Sequence, residues 1–161
     1  MSKFRVGFGY DVHCFAEGRK LWLGGIEIGH THGLLGHSDA DVVIHALCDA
    51  LLGAAALGDI GCHFPDTSDI YENIDSKILL RKTIELLVGK GYVIGNVDIT
   101  ICAELPKLSP HILQMRSCLA EVMNVSADDI SIKATTNERM GFIGREEGIA
   151  AYCTALITSD T

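Results

Sequence analysis

The chain has 161 residues and reads as one domain over 1–161, long enough to bury roughly two-thirds of its unfolded surface in a single core. Its formal charge of −8, with thirteen dispersed Lys and Arg residues, excludes a nucleic-acid groove, which relies on clustered basic side chains. Hydrophobic residues make up 48% of the chain, yet no run approaches the ~20 apolar residues of a bilayer span, so no membrane partner is expected.

The first segment, Phe4 to His13, alternates in polarity and predicts a strand. Side chains two apart share a face, so Asp11 and His13 offer two ligands from one side. Leu21 to Ile28 reads as two short strands around Gly24-Gly25, and Gly29 to Gly36 as a loop that delivers His37 to a helix start. Ser38, with Asp41 three residues on, is a variant of the capping signature and predicts a helix from about Asp39. In that helix Asp41, His45 and Asp49 stack four apart, while Val42, Ala46, Ala50, Leu51 and Ala54 supply an apolar stripe for the sheet. His45 is thereby expected to face the strand residues.

A carboxylate and two imidazoles with an open fourth position suit catalytic zinc, since structural zinc is usually closed by four protein ligands. The bland alternative for each residue singly is a packing or surface role; the joint spacing argues for the site. Six cysteines at 14, 48, 62, 102, 118 and 153 are scattered singly, without a CxxC pair or a secretory signal, which fits reduced thiols in a cytoplasmic compartment. Cys14 and Cys48 are read as packing residues.

Further on, the helix is expected to stop at Gly58, and Asp59 to Asp66 carries too many breakers for regular structure and reads as a functional loop. Asp75 or Ser76 caps a helix ending near Gly89, and Tyr92 to Ala103 is a strand. Gly89-Lys90-Gly91-Tyr92 lacks the P-loop spacer and is a helix end meeting a strand. Ser109-Pro110 reads as a cap plus first-turn proline of a helix to about Asn124. Strands at Ile130–Ala134 and Gly148–Ile157, with Thr135 to Glu147 as connecting loop, complete an α/β pattern without repeats. His30, His32, His63 and His111 read as solvated histidines.

Five ordered blocks carry a resemblance over nearly the whole chain: Gly9–His13; Gly36–Asp41 with His45; Leu51–Gly61; His63–Asp66; and Ala134–Glu138 through Gly141–Arg145. In these blocks the chain resembles the 2-C-methyl-D-erythritol 2,4-cyclodiphosphate synthase family of the non-mevalonate isoprenoid pathway. The resemblance implies a phosphorus–oxygen lyase of α+β type, with a mixed β-sheet and helices packed on one face, assembled as a homotrimer with interfacial active sites. It implies conversion of 4-diphosphocytidyl-2-C-methyl-D-erythritol 2-phosphate to the cyclic diphosphate and CMP. Localisation would be cytoplasmic in a bacterium, or plastid after loss of a transit peptide.

The resemblance also assigns roles. Asp11, His13 and His45 would hold zinc, with Asp41 or Asp49 orienting His45. Glu138 would hold magnesium or manganese; otherwise it is an exposed loop carboxylate. His37 and Thr136 would stabilise the transition state. Substrate would also meet Val12, Ser38, Asp59, Ile60 and Gly61, and the stretch Phe64, Pro65, Asp66, Thr67 and Ser68. A cytidine pocket would come from Ala103, Glu104, Leu105, Pro106, Lys107, Leu108 and Ser109, further substrate contacts from Thr135, Asn137 and Phe142, and a phosphate contact from Arg145. Two other classes compete: a metal-dependent phosphohydrolase using the same ligands to activate water, although no His-Asp dipeptide occurs, and a non-enzymatic diphosphate-binding trimer.

Overall fold

In chain order the computed structural model, which describes residues 3–159, contains β1 (Lys3–Ala16), β2 (Leu21–Leu23), β3 (Ile26–Ile28), β4 (Gly33–Leu34), α1 (Val42–Ala54), α2 (Ile60–His63), α3 (Ser76–Gly89), β5 (Val93–Cys102), α4 (Ile112–Met123), β6 (Ile130–Thr135), α5 (Gly141–Gly144) and β7 (Gly148–Ser159). Five strands form one mixed sheet in the order β4-β1-β7-β5-β6. Among the described residues only the β5–β6 pair is parallel, and α4 lies in the crossover between its strands. The strands β2 and β3 make a separate hairpin whose turn, Gly24-Gly25, has both φ angles positive (59° and 81°), which glycine adopts without a Cβ penalty.

The alternation of β1 sorts it into two unlike faces. Gly7, Gly9, Asp11 and His13 face α1, and the glycines let the backbones touch: a Cβ at Gly7 or Gly9 would sit 1.9 Å from the carbonyl oxygen of Ala50 or Ala46. The helix runs antiparallel to the strand. Two strand residues advance about 6.8 Å and four helix residues about 6 Å, so the two elements keep step. Gly7 meets Ala50 and Ala54, Gly9 meets Ala46 and Ala50, and the next step sets Asp11 and His13 against His45. The opposite face of β1 carries Phe4, Val6, Phe8, Tyr10 and Val12, 37–69% exposed, beside Tyr152 of β7. The main core lies on the helix side, where Leu47, Leu51, Ile99, Ile101, Leu119 and Ile157 are buried.

Several boundaries differ from the sequence reading. The helix expected from Asp39 starts at Val42, because Asp41 and not Ser38 caps it: the Asp41 carboxylate accepts from Ile44 N at 3.1 Å. The same carboxylate accepts from Gly24 N and Gly25 N, at 2.9 and 2.7 Å, pinning the hairpin to the helix. Burial holds this carboxyl above the usual carboxylate range, although the three N–H donors favour its ionised form. The loop from Asp59 contains the single turn α2, since Asp59 accepts from Cys62 N at 2.9 Å and supplies a cap. Another single turn, α5, interrupts the loop 135–147. Ser109 makes no cap bond; a 3-10 turn at Ser109–His111 precedes α4. Cys14 is exposed, not a packing residue, because its position in β1 points away from α1.

Candidate active site

Asp11 Oδ2 lies 3.0 Å from both His13 Nε2 and His45 Nδ1, and the two ring nitrogens are 3.2 Å apart. The tautomer of His13 follows from its other nitrogen: Nδ1 is 2.7 Å from the Leu35 carbonyl oxygen, which only accepts, so Nδ1 carries a proton and Nε2 presents its lone pair when the ring is neutral. Where His45 Nδ1 is likewise unprotonated, three acceptor atoms converge here, an arrangement that calls for a cation. Four-coordinate ligands about 2.0–2.1 Å from zinc stand roughly 3.3 Å from one another, close to these separations. Six-coordinate magnesium would tolerate similar spacings, but two imidazoles beside one carboxylate favour zinc. Burial raises the Asp11 carboxyl, but where the two imidazoles are protonated they donate to it, which outweighs burial and brings it to about 2. Burial likewise lowers His13, and the Asp11 carboxylate more than compensates, leaving it raised. Among the described residues these three form the one His, Cys, Asp and Glu group close enough to hold a metal ion.

The triad opens into a cavity of about 440 Å³ lined by His13, His37, Ser38, His45, Ile60, Gly61, Phe64, Asp66 and Tyr71, among others. His37 is not at a helix N-terminus, because α1 begins at Val42, three residues later than expected. Its Nε2 contacts the Ser68 carbonyl oxygen at 3.1 Å, and its own carbonyl accepts from Asn73 N at 2.7 Å. Asp59 does not line this cavity but is the exposed cap of α2, whose Ile60 and Gly61 do, and its carboxyl is held below the usual range by the Cys62 N–H. Pro65 and Thr67 are exposed beside it, and Ser68 N donates to the Pro65 carbonyl. Val12 turns its side chain to the outer face of the sheet and can reach this cavity only through its backbone.

Neither Asp41 nor Asp49 orients His45. Asp41 is spent on α1 and the hairpin, and Asp49 accepts from Ile60 N at 2.7 Å, tying α2 to α1. His45 Nε2 instead contacts Ser76 Oγ at 3.0 Å and Ser38 Oγ at 3.1 Å. Sequence reasoning considered Ser76 only as a helix cap and passed over Asp39 as a functional residue, since no local spacing connects positions 45 and 76.

A second cavity, of about 400 Å³, is lined by Ala103, Glu104, Leu105, Pro106, Lys107, Leu108, Ser109, Ala134, Thr135 and Thr136. Glu104 Oε1 accepts from Asn137 N at 2.8 Å and Arg139 N at 3.3 Å, so its charge braces the turn after β6. Glu138 is exposed on that turn with φ 51°, its N–H 3.3 Å from Thr136 Oγ1. Phe142 is exposed on α5, and Arg145 is paired with Glu147 at 2.6 Å.

The two cavities share no residue. Register carries His13 of β1 opposite Ile149 of β7, Ala150 opposite Cys102 of β5, and Cys102 opposite Thr135 of β6. Three strand spacings, roughly 14 Å, thus separate the triad from Thr135 within one chain.

The chain is similar to known proteins over nearly its full length. It is 68% identical over 155 residues to the 2-C-methyl-D-erythritol 2,4-cyclodiphosphate synthase of Bacteroides fragilis, covering 96% of this chain and 98% of that one. Among solved structures, the bifunctional IspDF from Campylobacter jejuni superposes with a TM-score of 0.96 at 41% identity; the match covers 99% of this chain and 43% of that longer one. The CDP complex of IspF from Plasmodium falciparum superposes with a TM-score of 0.86 at 35% identity, covering 98% and 97% of the two chains. With residues 4–158 matched by its family model, the chain belongs to the YgbB family.

Proposed function

We propose that this chain is the lyase that closes 4-diphosphocytidyl-2-C-methyl-D-erythritol 2-phosphate into 2-C-methyl-D-erythritol 2,4-cyclodiphosphate, releasing CMP, in the cytoplasm of a bacterium making isoprenoid precursors by the non-mevalonate route. The observation that carries the reading is the convergence of Asp11, His13 and His45 on the wall of the His37 cavity, in a chain so similar to enzymes of that name. An oxygen of the 2-phosphate attacks the β-phosphorus. The bond from that phosphorus to the bridging oxygen breaks, and the bridging oxygen leaves with its electron pair as part of CMP. No covalent enzyme intermediate is needed, so catalysis consists of positioning and charge neutralisation.

Zinc held by Asp11, His13 and His45, and magnesium or manganese held with Glu138, would supply positive charge against the diphosphate oxygens, which a chain of net charge −8 otherwise lacks. Charges of one sign about 4 Å apart repel by about 4 kcal/mol at an effective dielectric of 20. His37, fixed through the Ser68 and Asn73 contacts, offers an imidazole on the triad side. Thr136 offers a hydroxyl next to Glu138 on the other. The pocket 103–109 would take the cytidine, and a relative's structure holding CDP supports a nucleotide ligand of that kind.

One diphosphate spans only a few ångströms, less than the roughly 14 Å between the two halves in one chain. This supports a site completed by a neighbouring copy in a homotrimer, the triad cavity of one subunit meeting the 103–109 pocket of the next. The row Phe4, Val6, Phe8, Tyr10 and Val12, apolar and exposed along one strand, supports a subunit contact on that face.

Phosphorus NMR of the protein with this substrate and magnesium, before and after zinc chelation, tests the activity. Cyclic diphosphate and CMP, lost on chelation and restored by zinc, are expected. A linear phosphate product would replace the reading with a phosphohydrolase, and tight binding without turnover would replace it with a diphosphate-binding module.

A further inference from the structure

Behind the triad, on the side away from the cavity, a polar chain runs from His45 through Ser76 to Asp39. Ser76 opens α3, thirty-one positions after His45, and is fully buried. Its hydroxyl lies 2.5 Å from Asp39 Oδ1 and 3.0 Å from His45 Nε2. Asp39 Oδ2 accepts from Ser76 N at 2.9 Å, and Asp39 Oδ1 also accepts from Asp41 N at 3.1 Å, so the carboxylate is held from two directions.

The direction of this chain is fixed by donor and acceptor capacity. A carboxylate only accepts, so the single hydroxyl proton of Ser76 goes to Asp39. Ser76 Oγ is then left with lone pairs toward His45, so a hydrogen bond between the two has His45 Nε2 as its donor. Nδ1, which faces Asp11 and His13, keeps its lone pair. Ser38 Oγ, 3.1 Å from the same Nε2, accepts from Ala40 N and has no carboxylate to fix its own proton, so alone it leaves the tautomer undecided. Burial makes the distinction matter, because a wrong tautomer in this site would set two hydrogens or two lone pairs against each other.

We infer that Ser76, locked by Asp39, is the positioning residue of the metal centre: it selects the Nε2–H tautomer of His45 and aims Nδ1 at the ion. The inference rests on the zinc reading above. It also ties that ligand to the segment bordering the cavity, because Ser76 ends the stretch whose Asn73 N–H meets the His37 carbonyl and whose Ile74 carbonyl meets Asp39 N.

The test uses apoprotein titrated with zinc against a chromophoric chelator, in wild type, Ser76→Ala and Asp75→Ala. Asp75 supplies the side-chain cap of the same helix without touching the triad, so its variant reports the cost of loosening that helix alone. Ser76→Ala is expected to weaken zinc binding about tenfold or more, while Asp75→Ala stays within about twofold of wild type. Long-range proton–nitrogen NMR on the zinc-free wild type, at a pH alkaline enough to keep its imidazoles neutral, is expected to show His45 protonated at Nε2. Equal zinc affinity in Ser76→Ala, equal losses in both variants, or a proton on Nδ1 overturns the inference. A wild type that takes up no zinc overturns the metal reading instead. Should Ser76→Ala fail to fold, the wild-type tautomer decides.

Discussion

The two cavities differ in how they are built. The triad cavity rests on backbone-close packing of α1 against β1 and on polar side chains whose partners are all accounted for: Asp41, Asp49, Asp39 and Ser76 each meet named groups. The 103–109 pocket rests on the ends of β5 and β6 and on exposed turns, where Thr136 and Glu138 contact little besides each other. On the proposed function, the half that would present a fixed ligand set to an ion is finished within the chain, and the half that would meet a flexible nucleotide is left open for a ligand or neighbour to finish.

Removing the ion's ligand should have the largest effect. His45→Ala is expected to abolish stoichiometric zinc in elemental analysis and to lower turnover by about a thousandfold or more, since bound metal supplies several kcal/mol of charge stabilisation. Normal zinc content in that variant would sink the ligand assignment. Packing comes next: Gly9→Ala drives a Cβ into the Ala46 carbonyl and is expected to cost about 3 kcal/mol or more in denaturant unfolding, because the clash is backbone on backbone. A silent substitution there would mean that the seam yields more readily than its geometry implies.

On the open half, Thr136→Ala is expected to lower kcat about tenfold with little change in KM, as for a hydroxyl used chiefly in the transition state; a loss confined to KM would refute that role. Mixing the halves sharpens the comparison further. When inactive His45→Ala and Glu138→Ala chains are unfolded together and reassembled in equal amounts, random cyclic assembly restores about one site in four. Activity near zero would place both halves in one chain.

The smallest effect is chemical. Burial pushes the Cys48 thiol on α1 up to about 12, so at pH 8 it stays protonated and resists alkylation until the protein unfolds, whereas exposed Cys62 is labelled readily. The unfolded chain ionises this thiol first. Cys48 therefore disfavours the native state progressively as pH rises from about 9 toward about 12. Rapid labelling of Cys48 at pH 8 would show that the seam opens.

Much of this was legible beforehand because it is local. Alternation in β1 put Asp11 and His13 on one face, helical spacing turned His45 toward them, and the Gly24-Gly25 turn announced its hairpin. Two short turns, α2 and α5, were missed because four residues carry no periodicity. The cap of α1 was displaced because Asp41 satisfies a helix and a hairpin together, a competition visible only once both are in place.

The residue order by itself determined which strand and helix could bring three ligands together, since periods of two and 3.6 residues are properties of the local chain. It determined also the resemblance that the relatives bear out. Only the tertiary structure decided what stands behind His45, where Ser76 and Asp39 took the part expected of Asp41 or Asp49, and how far the triad lies from Thr136. Those depend on which distant segments helix packing and sheet order bring into contact and which donors remain unspent there, and neither is encoded in any local spacing.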